Sequence, residues 1–314
     1  MITDLGSEAT EFGRQALRAF EAAGGDSLVQ QARADPMRRE ALAGPVLAGL
    51  GAWELEPRAD ADQLEAAAAL CRSAGYWALP YPVAERLSRT GDDDGLLVVT
   101  DLRPVGAIVG VDVGWGAVTM TGRRSSAVAA GAPEAAFVTG LALTPRDGDG
   151  TPDLPVALLL PCWTLLGMLD RAIELTIAHV RMRQQFGQTL SSFQSVQFQL
   201  TDAEVERAGL EMLAKYATWS AAQARGDAID TAIDDALALR MAALEAAEIV
   251  FRITHQLHGA VGFCDETTLS WLSRYSQPLR RLPLGISATR AVLTDRLGSR
   301  GLTGLYGEAR EVVS

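Results

Sequence analysis

Apolar residues in the first 92 positions recur at helical spacing, as in Phe12, Leu17 and Phe20 and again from Leu64 to Leu70, which puts one hydrophobic stripe on a helix. Gly24-Gly25, Gly51, Pro80 and Pro82 break the pattern, and glycine and proline are the strongest local punctuation a chain has. Between 93 and 160 the texture changes. "GLLVVTD", "GAIVGVDVG", "GAVTMTG", "AAFVTGLALT" and "LPVALLL" are short runs rich in Val, Thr and Leu, with Gly, Pro and Asp between them. Such text predicts a small β domain of about five strands. From 161 onward the text is helical again. Leu165 to Arg183 is apolar on most sides, as in a buried helix, while Phe193 to Gln223 and Asp227 to His258 are long and amphipathic. Shorter helices are expected at Thr267 to Arg274 and Ile286 to Leu297. Long helices joined this way predict an antiparallel bundle. The chain thus reads as mainly α with a small β domain: an N-terminal helical domain over 1–92, a reduced β domain over 93–160 and a C-terminal helical bundle over 161–314.

Composition narrows the functional classes. At 314 residues and 48% hydrophobic the chain can bury a large core. Its formal charge of −11 argues against a nucleic-acid binder, which needs a basic face. Cys71, Cys162 and Cys264 are far apart and not at metal-ligand spacing, which suits reduced core cysteines. His255 and His258 stand three apart with no third ligand nearby, so no metal site is expected, and no G-x-S-x-G elbow supports Ser-His-Asp chemistry. "DGDGTPD" lacks the closing Glu of a calcium loop and reads as a polar turn. The start "MITDLGSEATEF" is acidic without an apolar stretch, and the most apolar run, Leu154 to Leu169, contains Pro161 and is too short to cross a bilayer. A cytoplasmic protein without a signal peptide is therefore expected.

The oddest local text is "RMRQQFGQTLSSFQSVQ", Arg181 to Gln197. Local physics leaves two readings open. Gly187 can cap a helix C-terminus that Arg183 stabilises, with Phe186 packing and Ser191-Ser192 capping the next helix. Equally, an arginine fork beside an aromatic ring suits a phosphate attached to a planar ring, because guanidinium binds phosphate oxygens in a bidentate way. A second stretch, "THQLHGAVGF" from Thr254 to Phe263, ends a long helix in a glycine-rich turn where backbone can approach a ligand closely.

Taken together, R-x-x-F-G, then F-Q, then Q-x-x-G-x-x-G-F some seventy residues on, resembles the acyl-CoA dehydrogenase family from about Leu165 to Arg290, with a weaker similarity in "SAGYWALPYPVAERL". The resemblance implies an N-terminal helical domain, a middle β domain and a C-terminal four-helix bundle. It also implies FAD shared between subunits. The family's contacts to the ADP part of a neighbour's FAD map onto Arg183, Phe186, Gln194, Gln256, Gly259 and Ala260, the last at a position that is usually glycine.

The family reaction is α,β-desaturation of an acyl-CoA, in which a glutamate removes the α-proton while the flavin takes the hydride. Both places where the family carries that glutamate are empty here: they correspond to Pro283 and Ala157. Nor does the region 95–160 contain the T-E-P-x-x-G-S-D segment that helps hold flavin and substrate. No catalytic residue is therefore assigned. The resemblance is to the short, base-lacking subunit of heteromeric α2β2 enzymes of bacterial sterol degradation. It implies an FAD site completed for a homologous partner subunit that carries the catalytic glutamate and acts on a bulky acyl-CoA, such as a sterol-derived one. Two alternatives stay open at this point: an active homo-oligomer whose base has moved to Asp170, Glu174, Asp265 or Glu266, and a flavin-free structural or regulatory subunit.

Overall fold

A computed structural model describes residues 4–91 and 93–300. The N-terminal part contains α1 (Ser7–Ala23), α2 (Ser27–Ala34), α3 (Arg39–Gly49), α4 (Ala61–Tyr76) and the short α5 (Val83–Leu87). α1 buries Ala9, Gly13, Ala16 and Phe20, one residue per turn, against α4. The start of α4 is fixed by Asp60, whose carboxylate accepts the Gln63 amide at 2.9 Å.

The middle of the chain forms a five-stranded sheet from β1 (Gly95–Val99), β2 (Val105–Gly106), β3 (Trp115–Thr119), β4 (Arg123–Ala129) and β5 (Thr139–Asp149), in the order β1-β3-β4-β5-β2. Only the β1–β3 pair is parallel. The sheet differs from expectation at three places. Of the run "GAIVGVDVG", 106–114, only Gly106 lies in a strand, and the rest is turn and irregular chain. β4, "RRSSAVA", is mostly polar because most of it lies toward solvent. The run 154–160 is not a strand: it begins α6 (Leu154–Met182), with Pro155 in its first turn, where a missing amide costs nothing. A run that is apolar on every side has neither a period of 2 nor of 3.6, so pattern alone cannot tell a buried strand from a buried helix. The expected boundary at 160/161 therefore falls inside α6.

α6 is the axis of the molecule. A window of 18 residues within 151–182 is apolar enough for a membrane, with a mean hydropathy of 1.5, yet 78% of it is buried inside the protein. It packs on α4, on α7 (Gln194–Ala222) and on α8 (Ala228–His258). The approach to α4 is close enough that a Cβ on Gly75 would lie 1.8 Å from the Thr164 carbonyl oxygen, and one on Gly167 would lie 1.8 Å from that of Arg72. Two short helices, α9 (Thr268–Tyr275) and α10 (Gln277–Arg281), follow, and α11 (Ile286–Arg300) returns along α8. α6, α7, α8 and α11 make the four-helix bundle. Arg296 fastens α11 by donating to Asp230 at 2.9 Å and Asp234 at 2.5 Å.

Candidate functional site

The joint between α6 and α7 is a hairpin rather than a helix cap. α6 ends at Met182, Arg183 is extended (φ −72°, ψ 123°), and β6 (Gln184–Gln185) pairs with β7 (Gln188–Thr189). Phe186 and Gly187 are the two turn residues, both left-handed at φ 54° and φ 83°. Two-residue hairpins favour this geometry because it matches strand twist, but glycine and asparagine usually supply it. A phenylalanine there carries strain of about 1 kcal/mol or more. Its ring earns no burial in return: Phe186 is 91% exposed and touches Phe193 edge-on, with centroids 6.3 Å apart. Ser191 and Ser192 lie in a 3-10 turn and cap nothing. Ser192 donates to the Thr189 carbonyl at 2.6 Å, and α7 starts at Gln194 with no side-chain cap. Arg183, Phe186 and Gln194 are all exposed.

The second stretch meets the first at the same end of the bundle. His179 on α6 stacks on His258 on α8, with centroids 4.3 Å apart and planes 19° off parallel. Burial lowers the pKa of both imidazoles, and the Arg183 charge depresses His179 further. Gln256 is exposed two residues before α8 ends. Gly259 stops the helix at φ 64°, ψ −146°, a region essentially open to glycine alone. No atom lies within 4 Å of where its side chain would start. Ala260 is exposed in the following 3-10 turn, where Phe263 stacks on His255 with centroids 4.4 Å apart. All six residues expected to face a cofactor are therefore exposed at one end of the bundle. The set fits the ADP part of a dinucleotide: one guanidinium, two amide side chains, one aromatic ring and the backbone at Gly259, which has no Cβ, although Ala260 beside it carries a methyl.

The two empty base positions also meet, elsewhere. Ala157 and Pro283 line one cavity of roughly 110 Å³, walled by α5, β1, α6 and the chain around α10. Sequence reasoning missed what fills its walls. Arg39 is 2% exposed and donates to the carbonyls of Pro80 at 2.8 Å, Ala107 at 3.1 Å and Val109. Its guanidinium lies 4.1 Å from the centre of the Phe137 ring. Burial lowers the Arg39 pKa to about 9, which still leaves it charged at neutral pH. Across the cavity, Glu85 is a carboxyl whose pKa burial raises, opposed by a bond to its own backbone and by Arg39. A second buried cation, Arg240 on α8, donates to the carbonyls of Leu279 at 3.2 Å and of Leu282 and Leu284 at 2.6 Å, so it holds the backbone on both sides of Pro283.

None of the four acids considered as a relocated base lines this cavity. Asp170 accepts from Arg72 at 2.7 Å and Arg207 at 3.3 Å in a network joining α4, α6 and α7. Glu174 binds Tyr76 and Arg171 at the surface. Asp265 pairs with Arg33 at 3.2 Å and Arg274 at 2.7 Å, and Glu266 is exposed. Among the described residues no three His, Cys, Asp or Glu side chains could hold a metal ion. Cys71 and Cys162 are buried, whereas Cys264 is exposed.

Comparison with known proteins agrees with this architecture. Residues 158–283 match the family model described as acyl-CoA dehydrogenase, C-terminal domain. Acyl-CoA dehydrogenase FadE27 of Mycobacterium tuberculosis is 30% identical over 100 residues, a segment that is 31% of this chain and 27% of the relative. A structure of the Tcur3481-Tcur3483 steroid ACAD superposes with a TM-score of 0.77 at 20% identity, covering 94% of this chain and 99% of that one. The ChsE4-ChsE5 complex from Mycobacterium tuberculosis gives 0.72 at 17% identity, covering 96% and 100%. Residues 158–283 thus resemble that family's C-terminal domain, and the chain as a whole carries the acyl-CoA dehydrogenase fold.

Proposed function

We propose that this chain is the base-lacking subunit of a heteromeric, FAD-dependent acyl-CoA dehydrogenase, and that it completes the FAD site of a homologous partner. The observation that carries the reading is a separation. The residues suited to an ADP group sit exposed at the bundle end, while the cavity where the family places its base offers a methyl and a proline ring. Arg183 would hold a phosphate, Phe186 would cover a planar ring, Gln194 and Gln256 would bond polar edges, and the backbone at Gly259-Ala260 would approach the pyrophosphate. FAD, when bound, supplies the hydride acceptor for desaturation, and the partner supplies the glutamate. A bulky, sterol-derived acyl-CoA is the substrate class most in keeping with the likeness to the steroid ACAD and ChsE4-ChsE5 complexes.

The test is visible flavin absorbance of this chain purified alone and purified with its co-expressed homologous partner. Flavin in the complex only is the expected outcome. Stoichiometric flavin on the isolated chain would overturn the reading.

One observation favours a second reading, an active chain with its own base. Glu85 is a carboxyl in the very cavity that Ala157 and Pro283 line, and burial moves its pKa upward, as a proton acceptor near neutral pH requires. Acyl-CoA turnover by the isolated chain, abolished by Glu85→Gln, would select it.

A further inference from the structure

A pocket of roughly 500 Å³ opens at the bundle end where α8 meets α9 and α10. Its walls include Glu248, Phe251, Arg252, Gln256, Gly259 and Arg280. Gln256 and Gly259 are two of the six residues suited to an ADP group, whereas Arg183 and Phe186 do not line this pocket. Arg252, Gln256 and Gly259 stand at i, i+4 and i+7 along the end of α8, which sets them in one row. Arg280 comes to the same pocket from α10.

Arg280 is half-buried. Burial lowers its pKa; Glu248 opposes that shift and the neighbouring Arg281 adds to it. Among the described residues no carbonyl accepts from its guanidinium and no carboxylate pairs with it. The group lies 5.7 Å from the centre of the Phe251 ring, close to the limit of a cation–π contact. Arg252 is exposed, and among the described residues its side chain also has no hydrogen-bond or ion-pair partner. A charge that gives up water without gaining an acceptor costs stability. Arg39 and Arg240 show how this chain keeps a guanidinium for its own fold, with carbonyls meeting each. Arg280 has no such acceptor within the described chain, so a partner from outside would complete it.

The surroundings indicate which anion that is. A diphosphate presents two phosphates, and a guanidinium binds one of them in a bidentate way. In the FAD reading Arg183 takes one. The other would rely on the backbone at Gly259-Ala260, where the Ala260 methyl limits close approach. Glu248 lines the pocket as well, but it sustains the Arg280 charge and the two arginines outnumber it. We infer that Arg280, assisted by Arg252, binds the second phosphate of the FAD diphosphate, an assignment that rests on the FAD reading above.

The test uses the complex of the full chain with its co-expressed homologous partner, stripped of flavin and titrated with FAD and with riboflavin, which has no phosphate. Arg280→Met keeps an apolar stem against Phe251 and removes the charge. It should weaken FAD binding roughly 10- to 150-fold and leave riboflavin binding unchanged. In the isolated chain the same change should leave the thermal midpoint unchanged or raise it, because the charge it removes has no acceptor there. Arg252→Ala should weaken FAD binding less, roughly 2- to 5-fold, as befits an exposed cation. Unchanged FAD affinity in Arg280→Met, an equal loss of riboflavin affinity, or a lowered thermal midpoint of the isolated chain would overturn the assignment. If Arg183→Ala weakens FAD binding while Arg280→Met does not, the FAD reading stands and the role of Arg280 alone falls. A parent complex that binds no FAD would remove both.

Discussion

The two ends of this molecule's chemistry treat their arginines in opposite ways. Arg39 in the cavity wall and Arg240 behind it are almost fully buried and direct their donors to backbone carbonyls from distant parts of the chain. At the bundle end, Arg183 is exposed beside a strained, solvent-facing Phe186. The first arrangement stabilises a fold, and the second leaves its donors free for the contact proposed above. The lesson is that a site's chemistry is told by which donors are left over, not by how many charges it holds.

Four experiments would break or sharpen that contrast. Arg39→Ala leaves three carbonyls and a ring without their cation, so a loss of about 3–5 kcal/mol is expected in urea unfolding of the isolated chain. A loss under about 1 kcal/mol would mean that water replaces the guanidinium and the cavity is wet. Arg183→Ala should leave the stability of the isolated chain unchanged and weaken flavin retention by the complex roughly 10- to 150-fold, the worth of a charge-assisted contact of about 1.5–3 kcal/mol. Unchanged flavin content would favour a flavin-free structural subunit instead. Gly259→Ala forces a Cβ into a glycine-only conformation and should cost about 1–3 kcal/mol by the same unfolding assay.

The smallest effect expected is that of pH. Burial lowers the pKa of His179, His255 and His258 in the folded chain, whereas in the unfolded chain each titrates near about 6.5. Below that value the unfolded state binds more protons, so stability is fully present above it and declines as pH falls. Unfolding measured at about pH 7.5 and about pH 5.5 should show the decline, and His258→Gln should reduce it.

Much of the contact end was legible because its residues are close in sequence and carry unusual types. Arg183, Phe186 and Gln194 fall within twelve positions, and Gln256, Gly259 and Ala260 within five. Even so, the hairpin was not, since a phenylalanine at a left-handed position breaks the preference on which turn recognition depends. The cavity was illegible for a different reason. Arg39 stands in "PMRREAL" like any helix-surface arginine, and its acceptors lie 41, 68 and 70 residues away as anonymous carbonyls. Glu85 in "VAERL" likewise carries no local mark. Side chains whose partners are backbone leave no pattern of residue types to read. The run 154–160 failed on periodicity, because burial on all sides erases it.

The stack of His179 on His258 has one more consequence. It ties the end of α6, with its hairpin, to the end of α8, with its glycine turn. Under the proposed FAD reading, the two patches on one mount act as one bivalent ligand: once either patch engages, the other is already at high effective concentration. Loosening the stack would then lower the avidity of the whole bundle end even though neither histidine touches what it grips.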